Sequence, residues 1–224
     1  MLQRYLTVRD EGEAELVINR SRFICYVKRV ESPEEAVLFI QQIKKKHWDA
    51  THNCSAYICG ENDQYQKMDD DGEPSGTAGK PILEVIKRNH IKDTAIVVTR
   101  YFGGIKLGAG GLIRAYGKSA SAGLRATGMV ERILTREHHF SFDYTFLGKV
   151  ENELKEQDYQ IVGIQYLDRV TVTVGEEEGK EEPLKQLLSN LTNGQAEWRP
   201  GDVVYIEKQA GTIEDDADPE IPLK

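Results

Sequence analysis

Three groups of residues in this sequence have types and spacings that could do chemistry. The first is the run 103–111, which holds Gly103, Gly104, Gly108, Gly110, Gly111 and Lys106 and follows an apolar, β-branched stretch. Glycines leave backbone N–H groups unobstructed, and a strand-to-helix turn aims those groups and the helix dipole at an anion. Arg22, Arg100, Lys106 and Arg114 would supply positive charge, and Tyr101, Phe102 and Tyr116 could stack on bases. Against this, glycines at such a turn also serve tight packing. Phe102 reads more readily as a core residue, and Arg114 as a stem lying on a sheet. Two phosphate-binding signatures fail on spacing. The glycines at 103, 104, 108, 110 and 111 do not fit G-x-G-x-x-G. Gly111 and Gly117-Lys118-Ser119 are one residue too far apart for G-x-x-x-x-G-K-[ST], and the triplet falls inside a helical pattern, so no nucleotide hydrolysis is expected.

The second group is the acidic run Asp69-Asp70-Asp71-Gly72-Glu73. A calcium loop needs alternating ligands and a distal glutamate, and adjacent carboxylates on an extended chain diverge. These side chains are therefore expected to face solvent or cap backbone groups, with no metal. The third group is His47, His52 and Cys54. His52 and Cys54 alternate on a strand and would share a face, so a cysteine–histidine nucleophile pair is conceivable, but no oxyanion donor can be identified. A hydrolase drawing on His52, Cys54, Asp70, Asp71 and Glu73 around a ligand groove is the alternative reading. No catalytic residue and no cofactor is assigned.

The elements that must position these groups follow from local pattern. Residues 13–19 and 21–30 are rich in β-formers about an Asn-Arg-Ser turn and predict a hairpin. Ser32-Pro33-Glu34-Glu35 gives a helix start, and apolar residues at helical spacing carry the helix to Lys44-Lys45-Lys46. Strands follow at 53–59 and 64–68, then the polar 69–79 loop, a short helix to about 89, a buried strand at 94–100 and a long helix ending at Gly128. This order is ββαββαβα. The remainder reads βαββαβ, with strands at 129–142, 159–166, 169–174 and 203–208 and helices at 144–157 and 181–191, the split-βαβ or ferredoxin-like order. The chain therefore divides into domains at 1–130 and 131–210, followed by an acidic tail at 211–224.

Charge follows this division. Residues 1–128 carry 19 Lys and Arg against 16 Asp and Glu, and residues 129–224 carry 10 against 21. Within the first half, residues 75–128 hold nine cations and only Glu84 and Asp93 as anions, so an anion-binding face is plausible there despite the overall charge of −8. A mean hydropathy of −0.51, with no long apolar run, argues against a membrane protein. The N-terminus has no apolar leader. The three cysteines Cys25, Cys54 and Cys59 read as reduced thiols, and together these features give a cytosolic expectation.

Ser21-Arg22-Phe23, the stretch 50–54, the loop 70–79 and Arg100-Tyr101-Phe102-Gly103-Gly104-Ile105-Lys106-Leu107-Gly108 resemble the bacterial branch of the IMPACT family. The resemblance is strong over 15–128 and extends through 135–208. It implies an α+β fold, with a first domain similar to the second domain of ribosomal protein S5 and a ferredoxin-like second domain similar to the last domain of elongation factor G. It supplies no catalytic residues. Its implied role is translation regulation with RNA or the ribosome as partner, and a protein partner without nucleic acid is a further alternative.

Overall fold

The computed structural model describes residues 1–177 and 179–211, so the expected acidic tail lies almost wholly outside the described residues. The elements are β1 (Arg4–Val8), β2 (Glu11–Ile18), β3 (Ser21–Arg29), α1 (Pro33–Lys46), β4 (His52–Cys59), β5 (Tyr65–Asp69), α2 (Gly79–Arg88), β6 (Thr94–Tyr101), α3 (Gly108–Thr127), β7 (Met129–Phe142), α4 (Leu147–Glu156), β8 (Gln160–Tyr166), β9 (Val170–Glu177), α5 (Glu181–Leu191) and β10 (Glu197–Gln209). The fold is α+β, with two five-stranded sheets. A larger compact unit is built on Tyr5–Glu131 and a smaller one on Met1–Arg4 with Arg132–Lys208.

The larger unit is organised by the sheet β2-β3-β6-β4-β5. β6 is central and pairs antiparallel with both β3 and β4. Side chains alternate across a strand, so each strand serves both faces. Phe23, Cys25, Cys54, Ala56, Ile96 and Val98 point to one face and pack with Ile82, Ile86, Leu112, Tyr116 and Leu124 of α2 and α3. Ile24, Tyr26, Tyr57, Ala95 and Val97 point to the other and pack with Ala36, Phe39 and Ile43 of α1. This explains why β6 reads as a continuous apolar run: a strand covered on both faces has no polar side. The α1 start forms as its sequence predicts. Ser32 Oγ accepts a hydrogen bond from the N–H of Glu35 at 3.2 Å, and Pro33 takes the first turn, where its missing donor costs nothing.

In the smaller unit the order from β7 to β10 is βαββαβ, with β9 between β7 and β8 and β10 also pairing β7, the arrangement of a split βαβ. Phe140, Phe142, Val170, Val172 and Val174 form the sheet side of its core, against Val150, Leu154, Leu184 and Leu188.

Three details differ from the sequence pattern. β1 was not expected, because its five residues mix Arg4 and Tyr5 with Leu6 and show no alternation. The glycine-rich run is shorter as a loop than its composition suggests: Gly108, Gly110 and Gly111 already belong to α3. Phe102 is 46% exposed rather than part of the core, because the chain leaves the sheet after Tyr101.

Candidate functional site

Strand register brings the polar residues of the larger unit together. Arg100 of β6 lies opposite His52 of β4 on one side and opposite Phe23 of β3 on the other. The three share the face covered by α2 and α3, where the 70–79 loop closes over the strand ends. Arg100 is buried, and its Nη1 donates to Glu73 Oε1 at 2.6 Å. Its guanidinium lies between the rings of Phe23 and Phe102, 5.4 Å from each centroid. Nη2 reaches Ser21 Oγ at 3.4 Å, and Ser21 Oγ also accepts the N–H of Gly103 at 3.2 Å. The charge of Arg100 is thus committed to Glu73. The sequence suggested an anion contact here, but burial on a covered sheet face requires an internal counter-ion instead.

Glu73 joins this pair to the remaining residues. Tyr116 of α3 donates its hydroxyl to Glu73 Oε1 at 2.8 Å, and His52 Nε2 stands 3.9 Å from Glu73 Oε2. Cys54 Sγ–H donates to the carbonyl of Asp70 at 3.0 Å, and Sγ lies 3.3 Å from Tyr116 OH. Burial, followed by the Tyr116 hydrogen bond acting the other way and by the nearby carboxylates, leaves the Cys54 thiol well above its ordinary pKa. Burial also raises the Tyr116 phenol strongly. His52 Nδ1 donates to the carbonyl of Asp71 at 2.8 Å, and its Nε2 is the nitrogen that stands beside Glu73. A buried thiol that donates to a carbonyl, with no base directed at it, is a poor nucleophile.

The acidic loop is equally committed. The Asp70 carboxylate accepts N–H bonds from Gly76 (2.8 Å), Ala78 (3.0 Å) and Gly79 (2.8 Å), which satisfies the start of α2. Asp71 Oδ2 accepts the N–H of Asn53 at 2.6 Å. Lys44 Nζ bridges Asp69 at 3.0 Å and Asp71 at 2.7 Å. Burial opposes the lysine charge, but these two carboxylates outweigh it and hold its pKa above the ordinary value. Among the described residues no group of three His, Cys, Asp or Glu is placed to hold a metal ion.

The turn after β6 is built differently. Phe102 N–H donates to Thr51 Oγ1 at 3.0 Å and fixes its start. Gly103 is a packing glycine: a Cβ there would fall 1.9 Å from the carbonyl oxygen of Arg20. Gly104, with φ +86°, and Gly108, with φ +69°, face open space. Ile105 is 41% exposed, and Lys106 is exposed beside it. The first turn of the 20-residue α3 has no side-chain cap. Arg22 is exposed and paired with Glu15 at 2.8 Å, with its guanidinium 5.8 Å from the Tyr101 ring centroid. Tyr101 takes part in a relay in which Tyr26 OH meets His47 Nε2 at 2.7 Å, His47 Nδ1 meets Tyr101 OH at 2.9 Å, and Tyr101 OH donates to Asp49 at 3.1 Å.

Arg114 lines a groove of about 490 Å³ between α2 and α3, and its Nη1 lies 3.8 Å from where a Cβ on Gly110, in the first turn of α3, would stand. Lys80, Arg88 and Lys118 line the same groove. None of these three was singled out as a site residue from the sequence. The visible signal was the cation excess of 75–128, but residues on two helices cannot be assigned to one groove without their packing. Trp48, 83% exposed at the end of the Lys44–Lys46 run, was also missed.

Residues 19–124 match the Impact N-terminal domain, and residues 140–195 match DUF1949, a domain of unknown function. The chain is 55% identical to IMPACT family member YvyE of Bacillus subtilis over 215 residues, covering 96% of this chain and 99% of that protein. It belongs to the IMPACT family. IMPACT family member YigZ of Escherichia coli is 33% identical, covering 79% of this chain and 88% of that protein. Mouse Protein IMPACT is 36% identical over 94 residues, which is 40% of this chain and 29% of that longer protein. A solved structure titled as that of a hypothetical protein is similar at 30% identity and a TM-score of 0.58, covering 88% of this chain and 97% of that one. All of the candidate residues fall within the IMPACT match. Among the described residues no helix is long and apolar enough to cross a membrane.

Proposed function

We propose that this IMPACT family member is a non-enzymatic binding protein of translation control, which contacts RNA or the ribosome through the turn between β6 and α3. The observation that carries this reading is the composition of that turn. It presents an exposed aromatic ring at Phe102, an exposed cation at Lys106, an open glycine at Gly104, and a second open glycine, Gly108, as the first residue of the uncapped 20-residue α3. Such a helix start offers N–H donors and the positive end of its dipole to a phosphate, and an exposed ring offers a base a stacking surface. The Arg22–Glu15 pair is exposed, so exchanging Glu15 for a phosphate costs little.

The His52, Cys54, Asp70, Asp71 and Glu73 cluster supports hydrolysis less well, since its donors and acceptors already serve one another. The protein-partner reading draws support from Trp48, because a tryptophan that is 83% exposed is an apt interface anchor. Labelled RNA titrated by fluorescence anisotropy at several salt concentrations tests the proposal. Lys106→Ala should weaken binding and flatten the salt slope by about 0.7, the value of one phosphate contact on a single strand. A wild-type protein that shows no salt-dependent RNA binding, and captures a partner unaffected by nuclease, would replace this reading with the protein-partner one.

A further inference from the structure

We propose that the groove between α2 and α3 holds the phosphodiester backbone of single-stranded RNA, an inference that rests on the RNA reading above and assigns it a second contact surface. The groove measures about 490 Å³ and is lined by Lys80 and Arg88 from α2 and by Arg114 and Lys118 from α3. Glu84 is the one carboxylate among its lining residues.

The spacing favours an extended anion over a compact one. Arg114 and Lys118 are four residues apart on α3, and Lys80 and Arg88 are eight apart on α2, so each helix presents a row of cations with steps of about 6 Å per four residues along the axis. Two such rows facing each other along a furrow fit successive phosphates of one strand. A single phosphate needs donors that converge on one point. Helices in contact have axes about 8–10 Å apart, and the furrow between them is too narrow for a duplex.

Backbone donors do not explain the groove. The N–H groups of Gly76, Ala78 and Gly79 at the start of α2 are already taken by Asp70, so any anion here must be held by the side chains. Gly117 makes the space: it lines the groove, and a Cβ there would meet nothing within 4 Å. This also gives the Gly117-Lys118-Ser119 triplet a use that its failed nucleotide signature did not. Lys118 lies on the groove, while Ser119 is buried and donates to the carbonyl of Ala115 at 2.8 Å, turned away from any ligand. Pro81, Val85 and Ile113 add apolar surface for the ribose edges.

The test uses the full chain, a fluorescent 12-nucleotide oligouridylate, and anisotropy from 50 to 200 mM salt. Lys80→Gln/Lys118→Gln should flatten the salt slope by about 1.4, two contacts at about 0.7 each. Gly117→Leu should fill the groove and weaken binding at least tenfold, with circular dichroism confirming its fold. If wild type binds and both variants bind as it does, the groove proposal is overturned while the RNA reading stands. If wild type itself does not bind, the RNA reading fails and takes the proposal with it. Pyrophosphate competing as effectively, per phosphate, as the oligomer would identify a small-anion site and also overturn it.

Discussion

Loss of Glu73 should cost the larger unit heavily. Its side chain is 4% exposed, and it is the buried counter-ion of Arg100, itself 6% exposed. Glu73→Ala removes at once the acceptor of Arg100 Nη1 at 2.6 Å and of Tyr116 OH at 2.8 Å. A guanidinium whose Nε already has no hydrogen-bond partner would then sit between two phenyl rings without a counter-charge. Breaking a buried pair on one side costs about 3–5 kcal/mol, whereas replacing both partners by apolar residues of similar size is close to neutral. Glu73→Ala should therefore destabilise by about 3–5 kcal/mol, and Glu73→Leu with Arg100→Met should recover most of that loss. In urea, with a slope of about 2 kcal/mol/M, the single change should lower the unfolding midpoint by about 1.5–2.5 M. Circular dichroism across a double-substitution cycle measures both numbers. A single-variant cost below about 1 kcal/mol, or a double variant equal to the sum of its singles, would refute the reading of Glu73 as the coupled, buried counter-ion of Arg100.

Three further outcomes are expected. The native thiols should resist iodoacetamide: burial raises Cys25 and Cys54 strongly and Cys59 to about 11, a thiolate fraction at pH 7.5 roughly 100-fold below that of an unburied cysteine for Cys59 alone; mass spectrometry that finds rapid labelling without urea would contradict this. Burial, reinforced by Lys46 and Arg22 against Asp49 and Glu13, holds His47 below its ordinary pKa. The unfolded chain therefore takes up a proton near pH 6.5 that the folded chain refuses. Stability should fall as pH drops from about 6.5 through the folded value, by less than about 1.4 kcal/mol per pH unit, and His47→Gln should remove that part of the dependence in urea titrations at pH 7.5 and 5.5. Finally, a chain ending near residue 133 should fold alone, as the change of charge and strand grammar there suggests. In a Trp48→Phe background, Trp198 fluorescence should report the smaller unit separately, and one transition shared by every probe, with the shortened chain insoluble, would count against independent domains.

Much of the scaffold was legible in the sequence. Ser32-Pro33 fixed the start of α1, the β-branched run at 94–100 marked the central strand, and the βαββαβ order of the second half followed from period alone, because these signals are local and backbone hydrogen bonding responds to them directly. The positions of Phe102 and β1 were not legible, since each depends on where the chain meets or leaves a sheet. For the candidate site the division is sharper. The sequence determined which residues could do chemistry: the glycine turn, the acidic loop, His52 with Cys54, and a cation-rich 75–128. Tertiary structure decided which of them face one another. Antiparallel register set His52, Arg100 and Phe23 in one row. Burial then required a counter-ion, and the loop supplied Glu73 from 27 residues away. The same packing of α2 on α3 gathered Lys80, Arg88, Arg114 and Lys118 around one groove. A charge's partner is set by distance through space and by the water excluded around it, and neither quantity is written in the order of residues along the chain.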